Sequence, residues 1–258
     1  MRKRAVVLAP LLLAGCGAGG PGEPLTTPVT TVRAPYDGLA IQVEKIEKDT
    51  HTEIGVALYD GTTLTQAGSL DWLPAWSTIK IPIAFAAAEH CDYSEDTVAE
   101  LTEASIEWSD NDSARALWDC MGSDEEASKK VAAEIAKSGA SVKVNGAFGT
   151  TRWPFAGQAR YAHMLSAMNP DNPIIADMRH IDDEQSFGLG QLDVPFKGGW
   201  SDNEADGAWH NRQFGWIGRV GVAIGAGSSN VTSLARDAVA SCAAPAAGVE
   251  LPRGVPRR

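Results

Sequence analysis

Metal chemistry has no foothold in this sequence. Its four cysteines and five histidines are scattered, and no cluster of them has metal-ligand spacing. Basic residues are scarce too: 22 lysines and arginines stand against 33 acids, for a net charge of -11. That balance excludes nucleic acid as a partner, because phosphate binding needs clustered Lys and Arg. There is no internal repeat and no low-complexity body. The most apolar N-terminal run, Ala5 to Ala14, is too short to span a bilayer. What remains is a 258-residue chain, 44% hydrophobic, with enough apolar content for one large domain or two small ones. No cofactor is expected.

The N-terminus reads as an address. Arg2, Lys3 and Arg4 precede the apolar run, which ends Leu13-Ala14-Gly15-Cys16. This is a secretory signal pattern, and its end resembles a bacterial lipobox. The resemblance implies removal of residues 1–15 and a diacylglycerol on Cys16. A plain cleavage site with an incidental cysteine is the alternative. Residues 16–35, rich in Gly, Pro and Thr, read as a flexible tether. The mature chain is then expected on the outer face of the bacterial cell membrane, held by lipid and not by a spanning helix. Export permits a disulfide. A Cys91–Cys120 bridge is expected, since each ends a predicted helix, with Cys242 buried and free; three free thiols are the alternative.

The periodicity predicts an order of elements. A short helix over 39–46 precedes a strand over 53–59, an Asp60-Gly61 turn and a return strand over 63–69. Helices follow over 77–89, 98–108, from about 110, over 124–138 and over 158–168, with a loop at 146–157. Three strands, over 195–200, 212–217 and 219–226, then lead to a last helix at 231–242 and a tail over 245–258. One antiparallel sheet built from both ends of the chain (36–75 and 190–244) thus flanks an inserted helical lobe (76–189). The fold class is α+β over residues 36–244.

The chemistry centres on Ser77-Thr78-Ile79-Lys80. At a helix entry, residues three apart share a face, so Lys80 lies beside Ser77. A serine becomes a strong nucleophile when a neighbouring base takes its proton. By itself the pattern reads better as an N-cap serine with a solvated lysine. Two further motifs change the weight: Ser109-Asp110-Asn111 and Lys197-Gly198-Gly199. The ordered set resembles the penicillin-recognising serine hydrolases, that is, the class A β-lactamases and related DD-peptidases. The resemblance implies a β-lactamase/transpeptidase-like fold, with N- and C-terminal helices flanking the sheet. It also implies a monomer acting on a β-lactam or a peptidoglycan-type peptide. Ser77 would attack a carbonyl, Lys80 would accept its proton, and Ser109 would pass a proton to the leaving nitrogen. Asn111 would hold the substrate amide and Lys80. Lys197 would hold a substrate carboxylate and keep Lys80 neutral by repulsion. Gly199 completes the third motif, and the N–H groups of Ser77 and Trp200 would bind the oxyanion. Arg212, on the next strand, reads either as a second carboxylate anchor or as a surface charge.

The pattern breaks in two places. No Glu-x-x-Leu-Asn follows Asn111, so the glutamate that activates the deacylating water in class A β-lactamases is absent. Glu125, Glu126 and Glu134 read as a solvated helix face. Gly198 also stands where the family motif has threonine. A second Ser-Asp-Asn, at 201–203, reads as turn chemistry. Trp76, Trp108, Trp200 and Trp209 flank the motifs, either lining a pocket or packing near the core. Three readings stay open: a slow acyl hydrolase on Ser77, a true β-lactamase with another deacylation base, and a non-catalytic cell-envelope binding lipoprotein.

Overall fold

The computed structural model describes residues 36, 38–203 and 207–228. The signal segment, Cys16 and the tether lie outside the described residues, as do the helix expected at 231–242, Cys242 and the C-terminal tail.

Helix α1 (Leu39–Thr50) opens the described fold and packs on the first hairpin, β1 (Glu53–Tyr59) and β2 (Leu64–Ala67). The hairpin joins three late strands, β5 (Phe196–Asn203), β6 (Ala208–Ile217) and β7 (Val220–Ser228). Together they make a five-stranded antiparallel sheet in the order β2-β1-β7-β6-β5. β1, β6 and β7 are buried along almost their whole length; β1 and β7 read as apolar runs without a solvent face, whereas β6 buries the polar run His210 to Gln213. Helix α6 (Phe155–Leu165) lies across β7, β1 and β6. Its first residue, Phe155, fits where Gly55 and Gly225 pair across the two strands. A Cβ at those positions would stand 2.1 Å and 2.7 Å from the Phe155 ring.

The inserted segment carries α2 (Lys80–His90), α3 (Glu95–Glu107), α4 (Asn111–Asp119), α5 (Asp124–Ala136) and the short α7 (Pro173–Asp177). The starts of α3, α4, α5 and α7 follow from capping chemistry: Ser94, Asp110, Ser123 and Asn172 each accept a backbone N–H of the helix that follows. Ser123 and Glu126 form a reciprocal capping box. α2 is buried on nearly every side and forms the core of the lobe. Cys91 and Cys120 are disulfide-bonded, with their Cα atoms 5.1 Å apart. The bond ties the C-terminal ends of α2 and α4, the two helices that bear Lys80 and Asn111.

Three expectations change. The second Ser-Asp-Asn, at 201–203, expected in a turn, lies on β5 and pairs with His210, Trp209 and Ala208. The loop at 146–157 contains a strand, β4 (Arg152–Pro154), which pairs with β3 (Trp72–Pro74) just ahead of Ser77. Glu134 is not solvated: it is 4% exposed, accepts the Tyr161 hydroxyl at 3.0 Å and pairs with Lys137 at 2.7 Å. Glu125 and Glu126 are exposed.

α3 and α7 bring Asp177 close to Glu107 and Glu103. Burial first, then those two carboxylates, raise the Asp177 pKa from an ordinary 3.8 to about 6. Its neutral form is therefore favoured in the folded chain. The stability it contributes is present at low pH and is lost as pH rises through about 6. Asp177→Asn is expected to raise Tm at pH 7 by about 1–3 °C, after allowing for solvent screening. It should also flatten the decline between pH 4 and 6 in thermal melts.

Candidate active site

Ser77 lies in a 3₁₀ turn, Trp76–Ile79, that runs straight into α2. The α-helix thus begins at Lys80, one turn later than the sequence suggests. In a 3₁₀ turn side chains three apart nearly eclipse, so Ser77 and Lys80 still share a side. The turn packs against the edge strand β5. Contact is closest at Gly199, where a Cβ would stand 2.7 Å from the Ser77 nitrogen and 3.0 Å from that of Thr78. Only glycine admits this approach, so the free edge of β5 is held beside the nucleophile's own amide.

Lys80 is buried, and its ammonium donates to Ser109 O at 2.5 Å and Asn111 Oδ1 at 2.7 Å, with a longer contact of 3.4 Å to Ser109 Oγ. Ser109 is held at φ 58°, which turns both its carbonyl and its hydroxyl towards Lys80. Trp76, immediately before the nucleophile, is at φ 46°. Non-glycine residues rarely take these angles, and they persist where the surroundings over-determine them. Asp110 caps α4 and so presents Asn111 at the first helical position. Lys197 enters from β5 and is completely buried. Its Nζ donates to Ser109 Oγ at 3.0 Å, Gln185 Oε1 at 3.2 Å and Gly198 O at 3.2 Å. The Ser109 hydroxyl therefore sits between the two lysines. Ser77 Oγ makes no hydrogen bond among the described residues.

Burial brings the Lys80 pKa from 10.5 down to about 8, against an opposing pull from the Asp110 carboxylate. Desolvation is the leading cause. Lys197 is driven well below the ordinary lysine range, by burial first and by Lys80 second. A lysine near pH 8 can serve as a base at physiological pH.

Arg212 is neither of the things the sequence suggests. It pairs with Gly199 across the sheet, and its fully buried side chain reaches Leu73 O, Pro74 O, Trp153 O and Gln158 Oε1. It binds the β3–β4 pair to α6, not a ligand. The residue paired with Gly198, and so on its face, is Gln213. Gln185 escapes sequence reasoning altogether: it lies in a motif-free polar stretch, yet its amide bridges Glu107 O and Lys197 Nζ. Of the four flanking tryptophans, Trp108 and Trp200 are 58% and 39% exposed, while Trp76 and Trp209 are half-buried. The segment 140–157 contains no acid, and the Glu134 carboxylate is engaged by Tyr161 and Lys137. Among the described residues no group of His, Cys, Asp or Glu could hold a metal ion.

Solved structures share this arrangement of elements. A class A β-lactamase from Bacteroides cellulosilyticus superposes with a TM-score of 0.68 at 16% identity, covering 83% of this chain and 97% of its own. The chain has the class A β-lactamase fold. The TLA-3 extended-spectrum β-lactamase superposes at a TM-score of 0.64 and 17% identity, covering 81% of this chain and 97% of its own. A β-lactamase from Streptosporangium roseum gives 0.61 and 15%, with 82% and 97% covered. No protein-family model matches the chain, and no curated protein matches it in sequence. The likeness to these β-lactamases is thus one of fold.

Proposed function

We propose that this chain is a lipid-anchored serine acyl hydrolase that forms an acyl-enzyme on Ser77. The substrates are of the β-lactam or cell-wall peptide class, and deacylation is slow. The observation that carries the reading is the buried hydrogen-bonded cluster of Lys80, Ser109, Asn111 and Lys197 beside the Ser77 turn. A module that only binds has no use for a desolvated lysine next to a serine.

In this reading Lys80, as the neutral amine, takes the Ser77 proton while Oγ bonds to the carbonyl carbon. Negative charge on the carbonyl oxygen is met by the N–H groups of Ser77 and Trp200, at the junction of the 3₁₀ turn and the β5 edge. As the carbon–nitrogen bond breaks, the proton passes through Ser109 to the leaving nitrogen. Lys197 holds the Ser109 hydroxyl for that transfer. Hydrolysis of the ester then needs a base on a water, and segment 140–157 offers no carboxylate. Loss of a positioned base slows such a step by about two to four orders of magnitude. The lipobox-like Leu13-Ala14-Gly15-Cys16 and the Cys91–Cys120 disulfide both fit an exported protein of the cell envelope.

Intact mass of the full-length chain during incubation with a penicillin tests this reading. The expected result is an adduct that persists and that Ser77→Ala abolishes. A transient adduct with hydrolysed drug in solution would make the protein a β-lactamase with an unrecognised deacylation base. An adduct that survives Ser77→Ala would overturn the assignment of the nucleophile.

A further inference from the structure

A second concavity lies away from Ser77, among the helices of the inserted segment. Its volume is about 490 Å³. One wall is α3, which presents Glu95, Val98, Ala99 and Thr102 to it. These stand at i, i+3, i+4 and i+7, on one face of the helix. A stripe of this kind is usually packed against a neighbour. Here α2 presents Ala87 and Ala88, side chains too short to fill the gap, and Ile174 of α7 adds an apolar wall. The gap follows α3 for about 10 Å, the rise of seven helical residues. Its two ends differ in chemistry. At the buried end Thr102 is 3% exposed, and its hydroxyl makes no hydrogen bond among the described residues. A polar group of a ligand would recover that lost bond. At the open end stand Tyr93, 44% exposed, and Glu95, which is exposed and in no ion pair among the described residues. Asp92 and Asp96, their neighbours in sequence, are exposed acids as well. No lysine or arginine among the described residues lines the cavity, so its mouth favours cations. The catalytic cluster takes no part: Ala87 lies roughly two turns beyond Lys80 along α2.

We infer that this cavity binds a small amphiphilic amine, with its ammonium at Glu95, a flat or hydrocarbon body along Val98 and Ala99, and a hydrogen-bonding group at Thr102. Glu95 assigns the charge, because it is the one charged side chain among the described residues that line the cavity. Thr102 assigns the polarity of the other end. The Tyr93 ring offers the cation an aromatic face. The site is distinct from Ser77, and the inference does not depend on acyl transfer there.

Tyramine is a direct probe, since its amine and its phenol hydroxyl lie at opposite ends of one ring. Calorimetric titration of the full-length chain with tyramine is expected to give a Kd of about 0.1–1 mM, ordinary for a ligand of its size. Tyrosol, which has a hydroxyl in place of the amine, should bind about three- to fivefold more weakly at low salt. Phenethylamine, which lacks the phenol hydroxyl, should bind about three- to tenfold more weakly. Glu95→Gln should erase the difference between tyramine and tyrosol, and Thr102→Val the difference between tyramine and phenethylamine. Ala99→Leu fills the gap and should abolish binding of all three. Tm of each variant checks the fold. Failure of tyramine to bind at millimolar concentration overturns the inference, as does binding that survives Ala99→Leu in a folded chain. Equal affinity for tyrosol, or a preference for tyramine that survives Glu95→Gln, would make this a site for neutral ligands and overturn the assignment of charge. A preference for tyramine over phenethylamine that survives Thr102→Val overturns the role of Thr102.

Discussion

Lys80→Met slows acylation of Ser77 by about 10²–10⁴-fold, the usual contribution of a positioned general base. Methionine fills much the same volume, so the cluster loses the amine without gaining a cavity. The unmutated chain should acylate faster as pH rises, because only neutral Lys80 accepts the proton. Its pKa of about 8 places the midpoint there, with roughly tenfold change per pH unit below it and a plateau above. Lys80→Met should lose that profile together with the rate. Asp110→Asn supplies the complementary shift. The Asp110 carboxylate opposes the lowering of the Lys80 pKa, and asparagine caps a helix about as well as aspartate. The rise should therefore move to lower pH with the fold intact. Stopped-flow measurement of acylation across pH 5–10 reads both variants. An undiminished rate in Lys80→Met, or a profile that Asp110→Asn leaves in place, would assign the base to another group.

Elements with a strong local signal were legible in the sequence. The continuous apolar run of β7 identifies a strand covered on both faces, and the helical pattern over 124–138 locates α5. The ordered motifs locate Ser77, Lys80, Ser109, Asn111 and Lys197, because each stands at a helix start or on a strand of distinctive pattern. What escaped depends on long-range register. Arg212 reads correctly as a strand residue, but the face it points to is fixed by pairing with Gly199, and a shift of one residue would reverse it. Glu134 looks solvated from helix charge alone, and only Tyr161, 27 positions away, accounts for its burial. Gln185 bears on the site through partners 78 and 12 positions distant, which no local pattern encodes. β4 spans three residues, too few for a periodic signal.

Arg212 supplies the largest expected effect on stability. Its guanidinium is fully buried and draws on backbone oxygens of Leu73, Pro74 and Trp153 and the side-chain oxygen of Gln158, at 2.6–3.2 Å. It lies over the Phe155 ring, with Cζ 5.1 Å from the centroid. No carboxylate pairs with it among the described residues, and burial lowers its pKa to about 9, so it stays charged at neutral pH. One side chain thus satisfies four oxygens from β3, β4 and α6, and β3 leads through Ala75 into the Ser77 turn. Arg212→Met removes every donor and leaves those oxygens buried. The cost is about 3–5 kcal/mol, a fall in Tm of about 10 °C. Arg212→Lys recovers only part of this, because a single ammonium cannot reproduce a fork that spans two strands and a helix. Thermal melts of both variants measure the loss. Ligand affinity of the folded Arg212→Lys chain separates a structural guanidinium from a ligand anchor. A structural role leaves the affinity for benzylpenicillin as it was; a selective loss for the acid over its methyl ester, at unchanged Tm, would return Arg212 to the binding groove.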